Sequence, residues 1–319
     1  MRPFYPLFRN PHVATLAANL WPRKLDEGRF PVTARLYRPE PEVQILIHSQ
    51  SPEEPVADVI LVHGLEGSSD SGYMRSMAQA LLEAGFATHR MNIRTCGGTE
   101  FLCDTLYHAG LTTDLFAYMM DLDRQRKTPV FLVGFSLGGN MVLKLAGEMG
   151  EDARRLLAGV VTVSTPLDLG ACARRLNHWQ NRIYQWHFVS SMKKRLAMRR
   201  KILPGHLAWE RLRGLRTIYE LDDVFTGPSF GFSGAEHYYS TQSASQFLER
   251  VRVPTVLIQA QDDPMIPWEA YSQPALETNV NLHLNAITYG GHIGFLSRDL
   301  PRFWVDDVVS RILADLRNN

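Results

Sequence analysis

The feature that most constrains this chain is an apolar run, Pro129-Val130-Phe131-Leu132-Val133, that leads without interruption into Gly134-Phe135-Ser136-Leu137-Gly138 and then into a helical stretch, Gly138 to Met149. A short, all-apolar, β-branched run is the mark of a strand buried on both faces, as in a parallel sheet. Glycines flanking the serine permit the tight strand-to-helix reversal. The serine hydroxyl is thereby lifted clear of the sheet edge at the positive end of the helix. Such a turn has this chemical meaning only inside a layered sheet of strands and helices, and the rest of the chain supplies one.

Val59-Ile60-Leu61-Val62, ending in His63-Gly64, is a second buried strand. After it, Tyr73, Met77, Ala80, Leu81 and Ala84 recur at helical spacing until Gly85 stops the helix. Phe86 to Asn92 reads as a strand, Leu111 to Leu122 as a helix, and Leu157 to Val163, Pro254 to Ala260 and His283 to Tyr289 as further strands, with a final helix from about Phe303. This alternation predicts an α/β fold with a mostly parallel, doubly wound sheet, which binds ligands at the carboxyl ends of its strands. One interval breaks the rhythm. Residues 164–253 hold no buried-strand pattern, and 90 residues are too many for one crossover connection. A single domain over residues 1–319, interrupted by a helical cap at 164–253, is expected.

A serine hydroxyl is a poor nucleophile near neutral pH, so it needs a histidine base, and the base needs an orienting carboxylate. In this fold the acid ends one late strand and the histidine follows another. The strand Thr255 to Gln259 runs into Asp262-Asp263-Pro264-Met265-Ile266-Pro267, and His292 sits in Gly290-Gly291-His292-Ile293-Gly294 after the last strand. Asp263 opens an Asp-Pro-x-x-Pro turn that would hold its side chain above the sheet. It is therefore favoured over Asp262, which is left a turn or capping role. The oxyanion of the tetrahedral intermediate needs donors. The backbone N–H groups of Leu137, after the serine, and of Leu65, in His63-Gly64-Leu65-Glu66-Gly67, are the candidates. His63 is read as a residue that shapes this loop, not as a second base.

Taken together, the motifs resemble the α/β-hydrolase superfamily and, within it, the YheT-like branch of hydrolases and esterases. The resembling residues are Asn10-Pro11-His12 with Thr15-Leu16, His63 to Ser69, Asn92 to Gly98, Tyr107-His108-Ala109-Gly110, Gly134 to Asn140, Asp262-Asp263-Pro264 and Gly290 to Phe295. Thr95 stands where the family pattern usually reads glycine. The resemblance implies a cofactor-free serine hydrolase of short-chain esters or acylglycerols, with Ser136, Asp263 and His292 as its triad. Acyl transfer or amide hydrolysis by the same triad, or a non-catalytic ligand-binding protein of this fold, remain the alternatives. The expected partner is a small-molecule ester or lipid, bound by a monomer or weak dimer.

Composition narrows the setting. With 45% hydrophobic residues and a net charge of +1, the chain has neither the composition of a disordered protein nor the global basic field of a duplex nucleic-acid binder, and no nucleic-acid partner is expected. No run approaches the 18 apolar residues of a membrane span. The N-terminal MRPFYPLFRNPH precedes only a short apolar run with no convincing cleavage site. Cys96, Cys103 and Cys172 contain no C-x-x-C pair. A cytoplasmic protein with reduced thiols and no metal site is expected. The charge is unevenly spread: residues 169–209 carry nine Lys or Arg and no acid, so the remainder is net −8. Met192 to Lys201 within it has Met192, Leu196 and the Met198/Arg199 level at helical spacing, with the basic residues on the other face. A solvated face is one reading; contact with anionic membrane lipid, an anionic substrate head group or RNA are the others. Trp179, Tyr184, Trp186 and Phe188 are expected to pack the cap onto the core or to line an acyl pocket.

Overall fold

Two strands not recognised as apolar runs open the sheet: β1 (Thr33–Glu40) and β2 (Val43–Gln50), an antiparallel pair. In β2, buried Val43, Ile45 and Ile47 alternate with partly exposed neighbours, the period-two pattern of a strand covered on one face. β1 is largely exposed and carries Pro39, as an edge strand can. The other six strands are β3 (Asp58–Val62), β4 (Ala87–Met91), β5 (Val130–Phe135), β6 (Leu157–Val163), β7 (Thr255–Ala260) and β8 (Leu282–Ile287). The computed structural model describes residues 2–23, 25–126, 128–203 and 208–318. Its eight strands lie in the order β1-β2-β4-β3-β5-β6-β7-β8, parallel from β4 to β8 across the sheet. β3, β4, β5 and β7 are buried at every residue; in β3, β5 and β7 this shows as largely apolar runs, whereas β4 buries Thr88, His89 and Arg90, His89 against Asp58 and Arg90 on the Ser69 carbonyl.

Helices cover both faces. Helix α1 (Pro11–Leu20) starts at Asn10, whose side chain accepts from the N–H groups of His12 and Val13. On one face, α2 (Gly72–Glu83) meets Val59, Leu61, Phe131, Val133 and Val161. On the other, α3 (Thr113–Arg126) and α4 (Leu137–Met149) meet Ile60, Val62, Leu132 and Val160. Adjacent residues of one strand thus feed different cores. After the single turn α5 (Ala153–Leu156) and strand β6, the described residues up to β7 form only helices and turns. These include α6 (Leu169–Leu176), α7 (Arg182–Arg199), the short α8 (Ile218–Leu221) and α9 (Gly227–Ser229), and α10 (Ala235–Gln242). Residues 204–207 of the expected cap lie outside the described residues. Helices α11 (Pro274–Thr278) and α12 (Trp304–Asn318) complete the chain, α12 packing beside α2. Among the described residues no helix is long and apolar enough to cross a membrane.

The packing of α7 corrects two expectations. Its inner face is filled by Tyr184, Val189, Met192 and Leu196, and also by Arg199, which donates to the carbonyls of Glu100, Cys103 and Thr105 at 2.6–2.8 Å. Arg195 turns inward too, so the basic residues do not share one solvated face. Trp179 and Trp186, expected to pack the cap or line a pocket, are 76% and 69% exposed. At about 100° per residue, positions 183 and 186 project away from the face that 184, 188, 192 and 196 present to the core, and Trp179 lies in the turn that precedes the helix.

Candidate active site

Strand β5 ends at Phe135 and α4 begins at Leu137, so Ser136 alone makes the turn between them. It does so at φ 50°, ψ −122°, a region that costs an L-residue about 1–3 kcal/mol. The turn is held by Ser136 N–H donating to the Val163 carbonyl (2.9 Å) and by Gly139 N–H donating to the Ser136 carbonyl (2.8 Å). A Cβ on Gly134 would fall on the Gly138 carbonyl, and one on Gly138 would fall on the Val62 carbonyl. Both glycines are there because strand and helix backbones approach within the space of a methyl group.

The imidazole of His292 stands between Ser136 and Asp263. Its Nε2 lies 3.0 Å from Ser136 Oγ and its Nδ1 2.8 Å from Asp263 Oδ2. Asp263 is 2% exposed, and its carboxylate also accepts from the N–H groups of Met265 (2.9 Å) and Ile266 (3.1 Å), which offsets its burial. Asp262 points elsewhere. One of its oxygens accepts from Gly290 N–H (2.8 Å) and Gly291 N–H (2.9 Å), so it ties down the loop that carries His292. Two further side chains hold that loop: Thr15 Oγ1 accepts from His292 N–H (2.9 Å), and Ser164 Oγ accepts from Ile293 N–H (3.0 Å). Sequence reasoning assigned neither role. Thr15 lies three residues after the Asn10-Pro11-His12 motif, and Ser164 directly follows β6, at the carboxyl edge where such sheets place functional residues.

The loop after β3 lies against the serine, since a Cβ on Gly64 would sit 3.1 Å from Ser136 Cβ. Gly64 N–H donates to Tyr73 OH (2.9 Å) and Glu66 N–H to Tyr107 OH (3.3 Å). Between them, Leu65 N–H has no protein acceptor among the described residues. Leu137 is the first residue of α4, where N–H groups have no intrahelical acceptor. His63 is fully buried, and burial pushes its pKa down to about 4. The neutral ring accepts from Ile93 N–H at Nε2 (3.1 Å), which leaves Nδ1–H to donate to the Gly64 carbonyl (2.7 Å). With both ring nitrogens engaged by the main chain, it fastens the loop.

Glu66, at φ 55°, joins this loop to α7. Its carboxylate pairs with Arg195 and accepts from Ser191 Oγ (2.7 Å) and Tyr107 OH (3.1 Å). Arg195 also donates to Thr95 Oγ1 (2.8 Å) and lies over the Tyr107 ring at 4.5 Å. The Glu66 charge, directly beside Leu65, is thereby neutralised from a helix 129 residues further along the chain.

A cavity opens beside Ser136 and His292. Leu106, Leu169, Leu176, Met192, Leu196 and Ile218 give it an apolar wall, with Phe188 of α7 also at its edge. Cys172 lines it as well; burial raises its thiol pKa well above the ordinary value, so it lies there as a small apolar group. Cys96 and Cys103 are likewise buried and form no disulfide. Among the described residues no cluster of His, Cys, Asp or Glu is arranged to hold a metal ion.

Residues 59–299 match the family described as alpha/beta hydrolase fold. The chain is 31% identical to YheT of Escherichia coli (strain K12), named as a candidate esterase, over 95% of this chain and 90% of that protein. It is 26% identical to a monoacylglycerol lipase of Saccharomyces cerevisiae, over 82% of this chain and 62% of that one. The esterase Pf2001 of Pyrococcus furiosus superposes with a TM-score of 0.61 at 18% identity, covering 93% of this chain and 97% of that one, a likeness of fold.

Proposed function

The chain belongs to the alpha/beta hydrolase fold family, in its YheT-like branch, and from that premise we propose that it is a serine hydrolase cleaving carboxylic esters, short-chain esters or acylglycerols, through an acyl-enzyme on Ser136. The observation that carries this reading is the continuous series Asp263 Oδ2, His292 Nδ1, His292 Nε2, Ser136 Oγ, with gaps of 2.8 and 3.0 Å, opening on an apolar cavity.

With Asp263 accepting from Nδ1–H, Nε2 is the unprotonated nitrogen and takes the hydroxyl proton as Ser136 Oγ attacks the acyl carbon. The carbonyl electron pair moves onto oxygen, where the Leu65 and Leu137 N–H groups receive it. Asp263 stabilises the imidazolium so formed. His292 then hands its proton to the departing alkoxide, the C–O bond breaks, and the acyl group stays on Ser136 while the alcohol leaves. Water follows the same route: His292 removes its proton, the oxygen adds to the acyl carbon, and Ser136 departs with the proton from His292 as the carboxylic acid is released. No step needs a cofactor. The apolar wall suits an acyl chain, and the yeast monoacylglycerol lipase supports a glycerol ester as one substrate type. Residues 164–253 act in this reading as a cap within one domain, closing the cavity from above through α6 and α7.

An alcohol in place of water in the second half would make the same machinery an acyltransferase. Product analysis on a monoacylglycerol, with and without a competing alcohol, separates the two. Free carboxylic acid is expected as the main product in both mixtures; a transferred ester as the main product would replace the hydrolase by an acyltransferase.

The Glu66–Arg195 pair makes a further expectation concrete. Arg195→Met should lower kcat for a soluble ester by about 10- to 100-fold with KM changed far less, because the loop presenting Leu65 loses its anchor and the oxyanion is chiefly a transition-state feature. Arg195→Lys should recover part of the loss. Equal kcat in all three proteins, measured where circular dichroism shows each is folded, would detach α7 from the oxyanion loop.

A further inference from the structure

Helix α7 has two unlike faces. Phe188, Met192, Arg195 and Leu196 point to the cavity beside Ser136. On the opposite side, Ile183 is 56% and Trp186 69% exposed, and Trp179, in the turn just before the helix, is 76% exposed. Further along, Lys194 continues the stripe, with Arg200 and Lys201 just past the helix end and Arg182 at its start. Among the described residues none of these four cations forms an ion pair. The inward-facing arginines, by contrast, are satisfied by Glu66 and by backbone carbonyls.

Two tryptophans and an isoleucine left in water at the start of α7, with Arg182, Lys194 and Lys201 free of ion pairs among the described residues and Arg200 held only over the Trp209 ring at 5.8 Å, are not explained by folding. Tryptophan is enriched where an apolar phase meets water, and basic side chains next to it are attracted to anionic head groups. Single-stranded RNA could also use aromatics and cations, by stacking. Lipid is favoured because Ile183 has no flat face for stacking, and because the other side of the same helix lines a cavity for apolar chains.

We propose that the outer face of α7 docks the protein on an anionic lipid bilayer, with Trp179, Ile183 and Trp186 inserted at the interface and Arg182, Lys194, Arg200 and Lys201 against the head groups, so that ester substrates reach the cavity from the membrane. The delivery of esters rests on the hydrolase reading above; the docking stands apart from it.

Co-sedimentation of the full-length protein with vesicles of phosphatidylcholine alone, or of phosphatidylcholine with phosphatidylglycerol, tests it at low and high salt. Binding is expected to the anionic vesicles, to weaken with salt, and to fall by about tenfold or more in Trp179→Ser/Trp186→Ser and in Lys194→Gln/Arg200→Gln/Lys201→Gln. Both variants should hydrolyse a soluble p-nitrophenyl ester at the parent rate, yet act more slowly on a monoacylglycerol embedded in anionic vesicles. No vesicle binding, equal binding to neutral and anionic vesicles, or binding indifferent to both variants would overturn the proposal. So would a single-stranded RNA oligonucleotide that binds more tightly than the vesicles and depends on the same tryptophans. Vesicle binding as described, by a protein that turns over no ester at all, would uphold the docking face and defeat the hydrolase reading instead.

Discussion

Ser136→Ala is expected to lower kcat toward p-nitrophenyl esters by about 10⁴- to 10⁶-fold, to the level that binding and oxyanion stabilisation alone sustain. The substitution removes one oxygen and little else. Alanine keeps the Cβ, so it inherits the same φ 50°, ψ −122° backbone, and the bonds that hold the turn run through the main chain. Thermal stability should therefore stay close to that of the parent. Ser136→Gly makes a useful companion: it relieves a conformation costing about 1–3 kcal/mol and should melt higher while being equally inactive. Measured together, the two variants separate loss of chemistry from loss of fold. Parent-like turnover in either one, once contaminating esterase is excluded, would falsify the assignment of the nucleophile.

The second large effect comes from the adjacent aspartates. In Asp263→Asn the amide oxygen can still accept from Met265 and Ile266 N–H, which leaves the NH₂ facing His292 Nδ1. A donor there favours the tautomer with the proton on Nε2, and that nitrogen can no longer take the serine proton. A fall in kcat of about 10³- to 10⁴-fold is expected, with little change in KM. Asp262→Asn should behave differently. Its bonds from Gly290 and Gly291 N–H need only an acceptor oxygen, which asparagine keeps, so activity should remain within about tenfold of the parent. Steady-state kinetics of both variants on one ester decides the matter; a larger loss in Asp262→Asn would reverse the roles.

What the amino-acid sequence reveals depends on how each element is buried. The strands on either side of Ser136 are covered on both faces, so they stand out as unbroken apolar runs and place the strand-to-helix turn at Ser136 with no further information. The edge pair β1 and β2 mixes exposed polar residues with buried ones and passes unnoticed, although Val43, Ile45 and Ile47 carry a legible alternation. Chain order and turn chemistry brought Asp263 and His292 forward because both follow strand ends. Thr15 reaches the His292 loop from a helix 277 residues earlier, a contact that no local pattern encodes. The stretch between β6 and β7 is least legible for the same reason. Helical spacing showed that Met192 and Leu196 share a face, but whether Arg195 and Arg199 face in or out depends on acceptors in distant loops. Trp179 and Trp186 depart from the expectation that large aromatics fill cores, because the inner face of α7 is already occupied.

The claim on which the rest depends is a covalent intermediate on Ser136, and mass spectrometry of the native protein after reaction with a fluorophosphonate ester tests it most directly. One adduct is predicted, mapping to the peptide that contains Gly134-Phe135-Ser136-Leu137-Gly138 and absent from Ser136→Ala. An unmodified protein, or an adduct on any other residue that persists in Ser136→Ala, would contradict the account.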